Sequence, residues 1–346
     1  MPTLNKTKKE TQIILRWAGI SLFIIFLLLL GTRFLSFIKD IFTPPPPPQA
    51  SFGKLPAISF PNQLQENITY SLNTLSGFLP NFSDRAKVYK ISTNPPTLLA
   101  LDKTRGKVSK IGFTANETRI AEDVYQWTNR ESPLQRRLTI NIFSSDFTLS
   151  SAYLITPDLQ TLSNVEEKNN AIYIAQSFLK NISLFTDDLD SQKTKTTLYS
   201  AEKGALIPAS KFSDAKIVRV DFFQKDLEKM PIYYEKGITS TISFLVGKEN
   251  NEQNVVDARY FHKNISQESS TYPIKSASLA FSELKDGKGY VASKDPNAVE
   301  VTIKKVTLGY YVGEAQQDFL MPIVIFEGDN DFVAYVPSVK DEWISN

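Results

Sequence analysis

Between Trp17 and Thr32 the chain carries no charge and holds the near-continuous apolar run from Leu22 to Leu30. These sixteen residues make about 24 Å of helix, a little short of a bilayer hydrocarbon core of about 30 Å. Arg16 and Arg33 border the run, and their long side chains can reach toward headgroups, so a spanning helix over Ile13 to Ile38 is predicted. A buried helix of a soluble domain is the bland alternative. It does not fit a helix that is apolar on every face, since soluble helices keep a polar stripe.

The charges flanking this run give its direction. Upstream lie Lys6, Lys8, Lys9 and Arg16 against Glu10, and downstream lie Arg33 and Lys39 with Asp40. Positive charge beside a first helix is retained in the cytoplasm, which places residues 1–12 inside as a short tail and the remainder outside. A cleaved signal peptide would also begin with a basic stretch and an apolar core. The sequence after the core, Gly31-Thr-Arg-Phe-Leu-Ser-Phe-Ile, offers no small-x-small cleavage site. The expected location is therefore the cell membrane, single-pass, with the N-terminus cytoplasmic and the C-terminal part extracytoplasmic.

Six of the 39 Lys and Arg and two of the 37 Asp and Glu precede residue 44, leaving 33 positive charges against 35 negative ones beyond it. A near-neutral ectodomain has no compositional footprint for nucleic acid, so none is expected as a partner. Cysteine is absent, which excludes disulfides, thiolate nucleophiles and Cys-ligated metals. Pro44 to Pro48 form a polyproline spacer of about 15 Å within an extended, Pro-punctuated linker over 39–63. Docking of a Pro-binding module on this run is the functional alternative to a plain spacer.

Beyond the linker, one helix followed by several strands recurs, predicting an α+β ectodomain in three units over 64–160, 161–268 and 269–346. The second unit is the clearest. Asn164 and Glu167 stand at capping-box spacing, and Ala171, Ile172, Ala175, Phe178, Leu179 and Ile182 share one helical face. Alternating sets then follow around Val218 to Phe222, Ile242 to Val246 and Val256 to Tyr260. In the third unit Pro273 suits a first helical position, Ile274, Ala277, Phe281 and Leu284 share a face, and Gly287 ends it. Alternation through Val299, Val301 and Ile303 changes parity at Lys304-Lys305 and resumes at Val306, which predicts a β-bulge. Phe319, Met321, Ile323 and Ile325 are expected to face Phe332, Ala334 and Val336 across a turn. In the first unit a helix is expected near Leu98 to Ile111, with strands at Val124–Trp127, Leu138–Ile142 and Phe147–Tyr153. An additional hairpin is expected from Tyr70–Leu75 and Ala86–Ile91. The stretches Phe82-Ser-Asp-Arg-Ala-Lys-Val88 and Phe212-Ser-Asp-Ala-Lys-Ile217 echo one another and hint that units one and two are related.

Tyr272-Pro-Ile, Val306-Thr-Leu-Gly-Tyr-Tyr311, Pro322-Ile-Val and Phe332-Val-Ala-Tyr335 give the third unit a resemblance to the terminal repeat of YycH/YycI-type proteins. That repeat is similar to the small PepSY-like module, a helix packed on a sheet. The resemblance covers about seventy C-terminal residues and the N-terminal anchor, and departs from the family in its polyproline linker and its first unit. It implies an ectodomain that regulates a membrane sensor kinase controlling envelope metabolism.

Candidates for chemistry are few. The single histidine, His262, falls on the parity of Val256, Ala258 and Tyr260 near a strand end. It is open to reading as a general base or as an ordinary strand-end side chain. Ser213/Lys216 and Ser282/Lys285 match the S-x-x-K spacing in which a lysine activates a serine, but neither S-D-N nor K-T-G accompanies them. Asp187-Asp188-Leu-Asp190 and Asp329-Asn-Asp331 are short oxygen-rich runs without the Gly and Glu of an EF-hand loop. No phosphate-cradling glycine motif is present. The Asn-x-Ser/Thr triplets at Asn67, Asn116 and Asn181 matter only in a glycosylating pathway. The expectation is thus a non-enzymatic binding or regulatory ectodomain acting on an envelope or membrane partner, with no catalytic, cofactor or metal site. A cell-envelope hydrolase or transferase built on a Ser/Lys pair is the alternative, and a structural spacer a third possibility.

Overall fold

The computed structural model describes residues 17, 20–23, 25–31, 33, 47–62, 68–93, 95–130, 134–155, 159–162, 164–202 and 204–345. The chain divides into two compact units, Met1–Pro48 and Gln49–Asn346. In the first, every described residue of the 17–33 stretch is helical, and Trp17, Leu22, Phe23 and Ile25 to Leu30 are exposed. Among the described residues no helix is long and apolar enough to cross a membrane. The rest of the expected 13–38 span lies outside them.

The second unit is mixed α+β, mostly sheet, with three α-helices among the described residues: α1 (Ala100–Val108), α2 (Val165–Asn181) and α3 (Ala277–Lys285). Its largest element is a nine-stranded sheet. From one edge, the strands are Thr118–Arg119, Val124–Asn129, Arg136–Asn141, Phe147–Ser150, Glu252–Tyr260, Ile242–Glu249, Ile217–Phe222, Lys195–Glu202 and Ala205–Pro208. All neighbours are antiparallel. A helix-and-strand run before residue 160 and another after it therefore meet edge to edge, with Leu149 opposite Ala258 and Phe147 opposite Tyr260.

Both α1 and α2 lie on one face of this sheet, sealing Val108, Phe147, Phe178, Leu179, Val220 and Phe244 into a single core. The Asn164 Oδ1 accepts the Glu167 N–H at 3.0 Å, so the expected cap starts α2. Ala171 and Ala175, both fully buried, carry no bulk between the helix and the strands beneath. Phe244 is fully buried, and its ring lies 5.6 Å from that of Phe178 and 5.9 Å from that of Phe222. A shift of register beside Leu245/Val246 changes one expected parity. Val255, rather than Val256, shares the helix-side core with Ala258 and Tyr260, and Val256 packs with Tyr153 and Leu245.

The C-terminal module has the helix-on-sheet form that the resemblance implies. Strands Glu300–Val312, Pro322–Gly328, Val333–Pro337 and Tyr290–Ser293 pair antiparallel in that order, and the expected bulge falls between Ile303 and Lys305. α3 packs Ala277, Ala280 and Leu284 against Val324, Phe326, Ala334 and Val336. The facing pattern differs from expectation. Ile323 and Ile325 share the opposite face with Val333 and Tyr335, where Ile58 and Phe60 cover them. A strand buried on both faces is apolar throughout, so alternation does not identify the helix side.

Two further expectations are corrected. Pro273 ends the strand Ile265–Pro273 rather than starting a helix; Ser276 is the N-cap, accepting the Leu279 N–H on its Oγ at 3.3 Å. The hairpin from Tyr70–Leu75 and Ala86–Ile91 does not form. Thr69–Leu72 runs parallel to Glu300–Ile303, and Arg85–Ile91 pairs with Ile265–Pro273 and Phe319–Leu320. The two echoing stretches therefore lead into strands of different sheets, which removes the echo as a sign of repetition. Residues 49–60 continue this distant pairing: the Ala50 N–H donates to Thr271 O at 3.0 Å, and Leu55 lies opposite Ile344 in a parallel pair. Ile232–Tyr234 crosses from the nine-stranded half to run parallel to Tyr310–Val312.

Candidate functional site

A cleft of about 620 Å³ opens where these elements converge. Four loop or strand-end segments and one helix supply its wall: the end of Arg85–Ile91, the turn at 141–146, the turn after α2, the segment Tyr260–Asn264, and Lys107 of α1. Gln316 and Gln317 close it from the C-terminal module.

Local chemistry shapes each segment. The Asn141 Oδ1 accepts the N–H groups of Phe143 and Ser144 at 2.9 and 3.0 Å, while its Nδ2 donates to Asp123 at 2.7 Å. This Asx-type turn carries Ser145 at φ 65° and brings Asp146 to the cleft. After α2, Ser183 at φ 56° reverses the chain toward Thr186 and Asp188. The Tyr260 hydroxyl ties the turn down by donating to Leu184 O at 2.9 Å.

His262 does extend the Tyr260 side of its strand, and the two rings stack at 5.8 Å between centroids. Its Nε2 lies 2.8 and 3.0 Å from the two carboxylate oxygens of Asp188. Thr186 donates to the same carboxylate at 2.5 Å, and Gln224 Nε2 does so at 2.7 Å. Burial alone would raise the Asp188 carboxyl, but the hydrogen bond and charge of His262, with the Thr186 and Gln224 donors, outweigh it and hold the carboxyl down at about 2. The Thr186 hydroxyl is 3.4 Å from the same Nε2. In a nucleophile relay the carboxylate holds one ring nitrogen and the hydroxyl faces the other. Here both crowd one nitrogen, and the hydroxyl already donates to Asp188, so the trio orders the turn instead of activating Thr186.

Lys263 and Asp146 were not singled out by spacing or motif. Lys263 is 5% exposed, and its Nζ makes one long hydrogen bond, 3.4 Å to Glu314 O. Burial pushes its ammonium down, opposed by the charges of Asp146, Glu314 and Glu235. Burial pushes the Asp146 carboxyl up, opposed first by Lys263, and its Oδ1 is buried without a hydrogen-bond partner among the described residues. The Lys107 ammonium is pushed down by burial and by neighbouring Lys103 and Lys110. No local signal joins these residues, because each arrives on a different segment.

The other sequence candidates do not gather in this cleft. Ser213 donates to Asp214 at 2.9 Å, and the Lys285 Nζ sits 5.0 Å above the Phe281 ring. Asp190 accepts the Gln192 N–H at 2.9 Å within its own turn, and Asp329 pairs with Lys304 at 3.4 Å. Among the described residues no three His, Asp or Glu side chains converge in the manner of a metal site. Asn67 lies outside the described residues.

No family model matches the chain, and no curated protein matches it. Among solved structures, an uncharacterized protein from Eubacterium rectale ATCC 33656 is similar at 13% identity and a TM-score of 0.38, over 80% of this chain and 87% of that one. The Bacillus megaterium YpeB C-terminal domain is similar at 12% identity and a TM-score of 0.32, over 72% of this chain and 100% of that one. Likenesses this distant leave the reading of the cleft to its own residues.

Proposed function

We propose that this chain is a non-enzymatic, single-pass membrane protein whose extracytoplasmic ectodomain, of YycH/YycI-type with PepSY-like helix-on-sheet modules, binds and regulates an envelope or membrane partner. One observation carries the reading: the cleft is assembled from all three helix-and-strand runs, and its only imidazole is held by Asp188 on the nitrogen that Thr186 also approaches. Such a site presents fixed polar groups for recognition, and its imidazole is not placed to activate Thr186. Two features support the location: the exposed apolar side chains of the 17–33 helical stretch and the excess of positive charge before it. Regulation of a sensor kinase is what the family resemblance adds.

The test is protease applied to intact spheroplasts, with antibody against the C-terminal segment as readout. The reading expects the Tyr272 to Asn346 epitope to be lost while a membrane-protected N-terminal fragment survives. Survival of that epitope until the membrane is permeabilised reverses the orientation and removes an extracytoplasmic role.

A further inference from the structure

The charges in and beside the cleft are mixed, and three of those in its wall, Lys263, Asp146 and Lys107, are left over among the described residues. Glu314 is engaged by Arg259, and Glu235 accepts the Glu314 N–H at 3.1 Å. The Arg259 guanidinium also lies 5.5 Å above the Phe261 ring. Asp188 is engaged by His262, and Asp123 by Asn141. After these pairings, among the described residues the buried Lys263 ammonium has only its 3.4 Å hydrogen bond, and the buried Asp146 Oδ1 has none. No ion pair joins them to each other or to Lys107 among the described residues. A desolvated charge or acceptor without a partner costs free energy, and a ligand that supplies the partner recovers it.

This pattern narrows the ligand. A phosphate or other anion would satisfy Lys263 and Lys107 but meet Asp146 and Asp123. A cation would have the reverse difficulty. An uncharged sugar would leave the Lys263 ammonium and the Asp146 Oδ1 without a hydrogen-bonded counter-charge. We infer that the cleft binds a short zwitterionic peptide, its terminal carboxylate at Lys263 and its terminal ammonium at Asp146. The surrounding Thr93, Asn264 and Gln316 side chains offer neutral donors and acceptors to the peptide groups between. The volume of about 620 Å³ suits a few residues rather than a folded partner. The inference rests on the binding reading above and names its ligand class.

The test is isothermal titration calorimetry on the full chain in nanodiscs, using trialanine with free termini, N-acetyl-trialanine, trialanine amide, maltotriose and inorganic phosphate. Free trialanine should bind, and either cap should weaken it about tenfold or more, as expected for loss of a charge-assisted hydrogen bond. Lys263→Met should bind the acid and the amide alike, and Asp146→Asn should bind the amine and its acetyl form alike. Lys107→Gln, on the half-buried side chain of α1, provides a milder variant that should narrow the acid-to-amide difference. Equal affinity for capped and free peptides overturns the inference, as does silence toward every probe. Binding of phosphate or maltotriose with the peptides silent overturns the ligand class and leaves a binding ectodomain. Release of free alanine from trialanine keeps peptide recognition but overturns the non-enzymatic reading.

Discussion

The nine-stranded sheet and the C-terminal sheet solve burial differently. In the first, strands adjacent in sequence mostly pair, and the helices cover one face; the other carries Arg219 paired with Asp221 at 2.8 Å, together with Asp257 and Arg259. In the second, Thr69–Leu72 and Ile232–Tyr234 arrive from distant parts of the chain and pair in parallel, and residues around Ile58 and Phe60 close the second face. The Phe60 ring stacks on Tyr290 at 4.9 Å and meets Tyr311 edge-on at 4.8 Å. The half built from local pairing is readable from periodicity, whereas the half built from distant pairing draws segments from across the unit Gln49–Asn346 into its sheet. The cleft lies where the two meet.

The largest effect should come from Phe244→Ala, which empties the aromatic centre of the nine-stranded sheet and should cost about 4 kcal/mol. Trp127 reports on that sheet, and Trp343, whose ring centroid lies 5.9 Å from that of Tyr272, reports on the C-terminal half. If the distant strands couple the halves, denaturant melts followed at each tryptophan should shift together. Separate midpoints would break the comparison by making the C-terminal sheet independent.

A smaller loss, about 3 kcal/mol, is expected from Gly309→Ala. A Cβ there would lie 2.6 Å from Pro231 O, the backbone leading into the crossing strand Ile232–Tyr234. Gly247→Ala is the matched change in the nine-stranded sheet, where the added carbon meets only side-chain tips at 3.0–3.2 Å. It should cost less than half as much in the same melts. Equal costs would show that the crossing strand imposes no special restraint.

How far the sequence foretold the fold follows the same division. The α2 cap at Asn164, the strands around Val218, Ile242 and Ala258, and the bulge at Lys304-Lys305 were legible because each is a local pattern. The fates of Thr69–Leu72 and Arg85–Ile91 were not, since both segments look like ordinary hairpin strands and nothing local names a partner more than 170 residues away. The cleft shows the same limit. His262 was visible as the lone imidazole, but Asp188 lies 74 residues before it, and the buried Lys263 and half-buried Asp146 resemble any surface Lys and Asp until the fold desolvates them.

The charged face of the nine-stranded sheet predicts a pH effect of up to about 3 kcal/mol. Burial pushes Asp257 up to about 6, against the nearby Arg259 and Arg219. The folded state therefore holds this proton more tightly than the unfolded chain, whose carboxyl titrates near about 4, and stability falls as pH rises from about 4 through 6. Asp257→Asn should flatten that part of the curve and raise stability at pH 7.5. An unchanged slope would place the pH dependence elsewhere. Asn164→Ala should lower stability by a smaller amount, up to about 1 kcal/mol, through loss of the α2 cap, and early fraying by hydrogen exchange should be confined to the first turn of that helix.

The most direct test of a binding ectodomain centred on the cleft is site-specific photo-crosslinking in intact membranes. A photoreactive residue at Thr93, exposed on the cleft wall, is compared with one at Arg137, exposed on the sheet face opposite Leu138 and Ile140. The account predicts a discrete crosslinked species from position 93, weakened by Lys263→Met and absent from position 137. Equal crosslinking from both positions, or a species from position 137 alone, would contradict it.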